Sequence, residues 1–167
     1  MPAKRRQNSQ SGFDDRVLDS VNRLILRELQ ADARLTMAEL GRRVGLSAPS
    51  VADRVLRLER TGVIVGYRTE LDPRALGFPI LASVRVRPGM GQLHKIPQVA
   101  QESPEVVECH RITGEDCYLL SVRLQTMDDL EEVLDRFTLY GQTTTSIVHS
   151  TPVERRLPPV DTVGSGP

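Results

Sequence analysis

The sequence predicts an α+β fold in two parts, a winged helix-turn-helix followed by a βαββαβ ferredoxin-like domain. Three observations predict it. Apolar residues recur at spacings of three and four from Val17 to Leu29, the stripe of an amphipathic helix. Two helix starts and a glycine stop fall close together between Thr36 and Ser47, which marks two short helices joined by a tight turn. Beyond residue 79, β-rich runs alternate with helical stripes in the order strand, helix, strand, strand, helix, strand.

Taken in order, the first helix is expected over residues 14–30, with Val17, Leu18, Val21, Leu24, Ile25 and Leu29 on one side. Thr36 and Glu39 form a capping box, in which the hydroxyl satisfies the Glu39 amide and the carboxylate reaches back. They open a second helix that runs to about Val44, where Gly45 tolerates a left-handed stop. Ser47 caps a third helix through Arg60, with Pro49 in the first turn, where a missing N–H costs nothing. On that helix Val51, Val55 and Leu58 share a narrow apolar arc. Ser50, Asp53, Arg57 and Arg60 lie opposite, with Arg54 at the flank and Leu56 as an apolar misfit. A buried seam opposite an arginine-bearing face is what a helix needs to pack on its own domain while lying in a major groove; an ordinary solvated face has the same composition. The run from Val63 to Leu71 has strand composition and is expected to form the wing.

In the rear half, Pro73 and Gly77 break a connector. Strands are expected over residues 80–87, 106–112, 118–124 and 144–150, and helices over 92–101 and 128–139. The βαββαβ order places both helices on one face of the sheet. The other face then needs a cover, for which a partner sheet is the simplest source. The expected organisation is a basic arm over 1–13, a winged helix-turn-helix over 14–66, a connector over 67–78, an oligomerisation and effector domain over 79–152, and a tail over 153–167.

Composition narrows the function classes. The chain has 167 residues, 39% hydrophobic and 26% charged, the balance of a globular protein. No apolar run approaches the ~18 residues of a membrane span. Lys4, Arg5 and Arg6 precede no apolar stretch, so no signal peptide is expected and the cytoplasm is the expected compartment. The zero net charge conceals an asymmetry: residues 1–70 carry 13 Lys+Arg against 9 Asp+Glu, and residues 71–167 carry 9 against 13. A basic front half suits a polyanion partner.

No catalytic constellation emerges. His94, His110 and His149 are scattered, neither H-E-x-x-H nor paired C-x-x-C occurs, and neither G-x-S-x-G nor a Walker sequence is present. No metal site and no cofactor are expected. The acids Asp128, Asp129, Glu131 and Glu132 suit a helix N-terminus favoured by the dipole. Cys109 and Cys117 face one another if the hairpin pivots on Thr113, within disulfide reach; two buried, reduced strand thiols are the competing expectation.

Leu18-Asp19-x-x-Asn22-x-x-Ile25-Leu26-x-x-Leu29-Gln30, Asp32-Ala33-Arg34, Glu39-Leu40, Val44-Gly45-Leu46-Ser47, Arg54-Val55-x-Arg57-Leu58-Glu59 and Gly62-Val63-Ile64-x-Gly66-Tyr67 resemble the leucine/asparagine-responsive (Lrp/AsnC, feast/famine) transcriptional regulators, in register from about Leu18 to Thr151. The resemblance implies double-stranded DNA as partner, with Arg43, Ser47, Ser50, Asp53, Arg54, Arg57 and Arg60 as DNA-binding residues. In this scheme Ser50, Asp53 and Arg57 reach base edges, while Arg43, Arg54 and Arg60 serve phosphates or helix ends. Asn22 stands where the family usually has aspartate, and an exposed polar change there is expected to matter little.

The rear half resembles the family's regulatory (RAM) domain. That implies dimers assembling to tetramers or octamers and a small-molecule effector, an amino acid, held between dimers. Gly114, Glu115, Asp116, Cys117 and Tyr118 match its glycine-acid stretch, with Cys117 where many members have aspartate; Thr143, Thr144, Thr145 and Ser146 match its threonine-bearing last strand. Hydroxyls there suit ammonium and carboxylate alike, and Glu115 or Asp116 suits a ligand ammonium; threonines are also simply good strand formers. The resemblance thus implies an effector-modulated, non-enzymatic regulator. The alternatives are a nucleoid-organising architectural protein, which would bind with little sequence preference, and a tetrapyrrole-decarboxylase-like enzyme; the basic third helix argues against the enzyme alone.

Overall fold

A computed structural model of the chain describes residues 17–160; the basic arm expected over 1–13 lies outside the described residues. The chain divides into two compact units. Among the described residues, 17–68 group with 155–160, and Thr69–Glu154 forms the second unit.

The helical unit contains α1 (Ser20–Ala31), α2 (Met37–Val44) and α3 (Ala48–Arg60). Ile25, Leu29, Leu40, Val51, Val55 and Leu58 form its buried centre, with Val17 and Leu35. α1 starts later than its apolar stripe. Asp19 is the N-cap, its carboxylate accepting the Asn22 N–H at 2.7 Å, and Val17 packs beneath the core from outside the helix. Thr36 and Ser47 cap α2 and α3 as expected, accepting from the Glu39 and Ser50 N–H groups, and Gly45 closes α2 at φ 72°.

The turn between α2 and α3 depends on a second glycine. A Cβ at Gly41 would lie 2.6 Å from the Leu46 carbonyl oxygen, so only glycine lets the turn close this tightly. The wing is not formed. Val63 and Ile64 donate their N–H groups to the Leu58 carbonyl at 2.9 and 3.0 Å, but residues 65–72 form no strand and Val65 is 82% exposed. Strand composition cannot make a strand without a ladder partner, and the described residues offer this segment none.

The second unit contains β1 (Ile80–Pro88), α4 (Lys95–Glu102), β2 (Val106–Arg111), β3 (Tyr118–Leu124), α5 (Asp128–Thr138) and β4 (Gly141–Ile147). The strands pair antiparallel in the order β2-β3-β1-β4, which is the βαββαβ arrangement expected. Ala82, Val84, Val86, Leu120, Val122 and Leu124 face Ile96, Ala100, Leu130, Val133 and Phe137, all buried. β4 begins three residues before the expected start at Thr144. Gly141 makes this possible: a Cβ there would lie 2.2 Å from the Arg87 carbonyl oxygen.

The face away from the helices carries Ser83, Arg85, Arg87, Ser121 and Arg123, with Leu81 and Leu119 among them. It is polar for the most part, so it does not require an apolar cover as a purely hydrophobic face would. No helix among the described residues is long and apolar enough to cross a membrane.

Candidate nucleic-acid interface and effector surface

Both candidate sites are made of charged side chains, and the pairing of each charge decides what it can do. On α3, Val51, Val55 and Leu58 are buried while Ser50, Asp53, Arg57 and Arg60 are exposed. Ser47 sits at the N-cap with its hydroxyl 2.8 Å from that of Ser50. Neither Arg57 nor Arg60 has a carboxylate partner among the described residues. Leu56 is 42% exposed, as its place outside the seam requires.

Two of the expected DNA-binding arginines are engaged elsewhere. Arg43 lies between Glu28 at 2.9 Å and Glu39 at 3.3 Å, and these carboxylates raise its pKa. Arg54 donates from Nη1 to Asp19 Oδ2 at 2.7 Å and Asn22 Oδ1 at 3.0 Å. Asp19 is the α1 N-cap, and the Arg54 hydrogen bond holds its carboxyl below the ordinary range. A phosphate contact from either arginine would have to break these bonds.

Asn22 corrects the sequence reading. It is 4% exposed, donates from Nδ2 to the Val17 carbonyl at 2.7 Å and accepts from Arg54. A carboxylate could not make the donor half of this arrangement, so the residue is not a neutral surface change. The helical stripe hid it, because Asn22 lies beside the apolar residues of α1 rather than on the solvent side. Glu59, near the end of α3, accepts the Tyr67 hydroxyl at 2.9 Å; desolvation and this carboxylate push the tyrosine to about 12.

The sheet unit divides the nine effector candidates between two faces. Side chains alternate along a strand, so the run in β4 cannot act as one cluster. Thr143 and Thr145 pair with Val86 and Val84 on the helix side, whereas Thr144 and Ser146 pair with Arg85 and Ser83 on the open side. Tyr118 is a core residue, 4% exposed, with its hydroxyl donating to the Leu93 carbonyl at 3.0 Å.

The β2–β3 turn holds Gly114 at φ 106°. Its acids are already engaged: Arg87 pairs with Glu115 and, at 3.5 Å, with Asp116, which also lies 3.8 Å from Arg85. Arg85 and Arg87 were missed from sequence, although their spacing of two on a strand signals a shared face. Thr144 and the Glu115–Asp116 turn therefore border the same arginine pair on the open face.

The hairpin does not pivot on Thr113. The Ile112 N–H donates to the Cys117 carbonyl at 2.9 Å, and Cys109 pairs with Leu120. A four-residue turn centres the hairpin beyond Thr113, so the two thiols do not oppose one another. Neither cysteine is a buried thiol residue; Cys109 is exposed and Cys117 half-buried, both free. Among the described residues no group of three or more His, Cys, Asp or Glu side chains could hold a metal ion.

Comparison with known proteins joins the two sites. Residues 18–59 match the AsnC-type helix-turn-helix domain and residues 80–158 the Lrp/AsnC ligand binding domain. The HTH-type transcriptional regulator LrpC of Bacillus subtilis is 35% identical over 133 residues, 80% of this chain and 92% of LrpC. The feast or famine regulatory protein of Mycobacterium tuberculosis, solved with L-methionine, has TM-score 0.79 at 35% identity, covering 85% of this chain and 99% of that one. A transcriptional regulator of Neisseria meningitidis, also an L-methionine complex, has TM-score 0.80 at 27% identity, covering 86% and 97%. With both domain types matched in order, and a relative this similar along most of its length, the chain belongs to the Lrp/AsnC family of helix-turn-helix transcriptional regulators.

Proposed function

We propose that this regulator reads DNA with α3 and that a small amino-acid effector modulates it through the sheet unit. One observation carries the DNA reading. Arg57 and Arg60 are exposed and have no carboxylate partner among the described residues, while Arg43, Arg54, Arg85 and Arg87 are all paired within the chain. Ser50, Asp53 and Arg57 then face base edges and Arg60 a phosphate. Base contacts set the sequence read, and phosphate contacts set affinity and orientation.

The test uses a duplex recovered by in vitro selection with the wild-type chain. At fixed salt, Arg57→Ala costs about 1–3 kcal/mol of binding if the arginine is bidentate to guanine. Unchanged affinity would remove α3 from the groove.

For the effector, support comes from two structural relatives solved with L-methionine and from the open-face group of Arg85, Arg87, Asp116 and Thr144. The paired arginines leave Glu115 and Asp116 less suited to a ligand ammonium than the sequence implied. Of the arginines Arg85 is the less engaged, its carboxylate contact among the described residues being Asp116 at 3.8 Å, and we assign it to the effector carboxylate. L-methionine and other amino acids should raise the melting temperature, and Arg85→Ala should abolish the shift; no shift with any amino acid would reject the effector class. Self-association through the open face, to a dimer and then a tetramer or octamer, is tested by light scattering. A two-fold dimer would bind half-sites about one helical turn apart or a multiple of it.

A further inference from the structure

We infer that Arg54 is a positioning residue of the recognition helix rather than a DNA contact, with Asp19 and Asn22 of α1 as the clasp that fixes the rotation of α3 about its axis. The inference rests on the reading of α3 as the DNA-reading helix. It extends that reading to a residue on the helix itself and two residues outside it.

The need for such a clasp follows from how α3 is held. Its inner side is a seam of Val51, Val55 and Leu58, and apolar burial is non-directional, so the seam sets depth more firmly than rotation. The two ends have their own restraints. The close turn at Gly41 holds the start, where the Leu46 N–H donates to the Gly41 carbonyl at 2.8 Å. The Tyr67–Glu59 hydrogen bond holds the last turn. Between them, Arg54 ties the middle of α3 to the α1 N-cap Asp19 and to Asn22 of α1 by two hydrogen bonds.

Both acceptors are themselves fixed. One oxygen of Asp19 caps α1 through the Asn22 N–H while the other takes Arg54. Asn22 is buried, and its amide nitrogen is anchored on the Val17 carbonyl. Both acceptors bind the one nitrogen Nη1, whose two N–H directions are fixed in the guanidinium plane, whereas a lysine's three donors rotate freely and fix no direction.

The magnitude makes rotation matter. A turn of about 20° about the helix axis moves a side-chain tip at a radius of about 6 Å by about 2 Å. A hydrogen bond tolerates roughly 0.5 Å in length. Arg54 directly follows Asp53 and precedes Arg57 by less than one helical turn, so its clasp governs the two residues assigned to base edges.

The experiment compares wild type, Arg54→Ala, Arg54→Lys and Asp19→Asn on the selected duplex and on poly(dI-dC), over a range of salt. Asp19→Asn keeps a good N-cap residue and lies on α1, so it tests the clasp without altering α3. Positioning predicts that the ratio of specific to non-specific affinity falls at least about tenfold in Arg54→Ala and Asp19→Asn. Poly(dI-dC) binding and the slope of log affinity against log salt should stay near wild type, and Arg54→Lys should not restore the ratio.

A phosphate contact predicts the opposite: Arg54→Ala lowers the salt slope by about one, lysine restores it, and Asp19→Asn has no effect. That result, or an unchanged ratio in both Arg54→Ala and Asp19→Asn, overturns the inference. A purely structural role would lower the melting temperature and leave the ratio of the folded fraction unmoved, which also overturns it. Arg57→Ala, run alongside, separates the two levels. Loss there with Arg54 neutral removes the positioning role alone, and no loss at either position removes the reading of α3 and this inference with it.

Discussion

The two candidate sites hold their arginines differently. On the sheet, Arg85 and Arg87 are bound to Asp116 and Glu115 across the open face. In the helical unit Arg43 and Arg54 are likewise neutralised by carboxylates, yet farther along α3 Arg57 and Arg60 have none among the described residues. Residue type is the same throughout, so identity alone does not mark a polyanion site. Uncompensated charges on a helix face opposite a buried seam do, because their field remains available to a duplex lying along that face.

The units also differ in what holds them. Twelve buried side chains of the sheet unit form a continuous core between one sheet face and two helices. The helical unit has eight among the described residues and adds polar ties. The largest expected effect is therefore in the sheet: Phe137, fully buried, should cost about 3–5 kcal/mol on Phe137→Ala in urea denaturation. A loss below ~1 kcal/mol would mean that this core is not close-packed.

Next is the turn of the helical unit. Gly41→Ala places a methyl 2.6 Å from the Leu46 oxygen, and overpacking of this kind costs about 1–3 kcal/mol. Its thermal transition should fall, and an unchanged transition would show that the turn can open. Gly45→Ala is the control: it has free space around it but a positive φ of 72°.

Smaller effects sharpen the contrast between arginines. Arg57→Ala should leave stability within about 0.5 kcal/mol while weakening DNA binding, whereas Arg87→Ala should leave DNA binding unchanged and cost about 0.2–1 kcal/mol of stability, as partly exposed ion pairs do. If Arg87→Ala weakened DNA binding as much as Arg57→Ala, pairing would not be what separates them.

The smallest effect is acid sensitivity. Arg54 lowers the pKa of Asp19 from its ordinary 3.8, and Arg136 lowers that of Glu105 from 4.5. A carboxylate with a depressed folded pKa adds stability that is fully present above its ordinary value and lost as pH falls through the folded one. Both ties should persist from neutral pH down to about those ordinary values and weaken below them. Their partial exposure keeps the loss small. In acid titrations followed by circular dichroism, Asp19→Asn should flatten the helical unit's response and Glu105→Gln that of the sheet unit.

Much of this was legible in the sequence. The caps Thr36 and Ser47, the stop at Gly45, the buried seam of Val51, Val55 and Leu58 and the order of strands and helices all appear as expected. These features depend on residues within about one helical turn or on strict periodicity, which a linear sequence displays. The register of the β2–β3 hairpin did not follow, because the length of its turn, not the symmetry of the cysteines, places Cys109 beside Leu120.

The chain by itself determined its elements, its family likeness and the amphipathic form of α3. Only the tertiary structure decided which charges have partners: that Arg43 and Arg54 are taken, that Asn22 is buried, that Tyr118 is core, and that residues 65–72 form no wing strand. The physical reason is that periodicity is local, whereas a polar group's partner comes from a segment distant in sequence. Arg54 and Asp19 are 35 residues apart, and no spacing rule within either helix joins them.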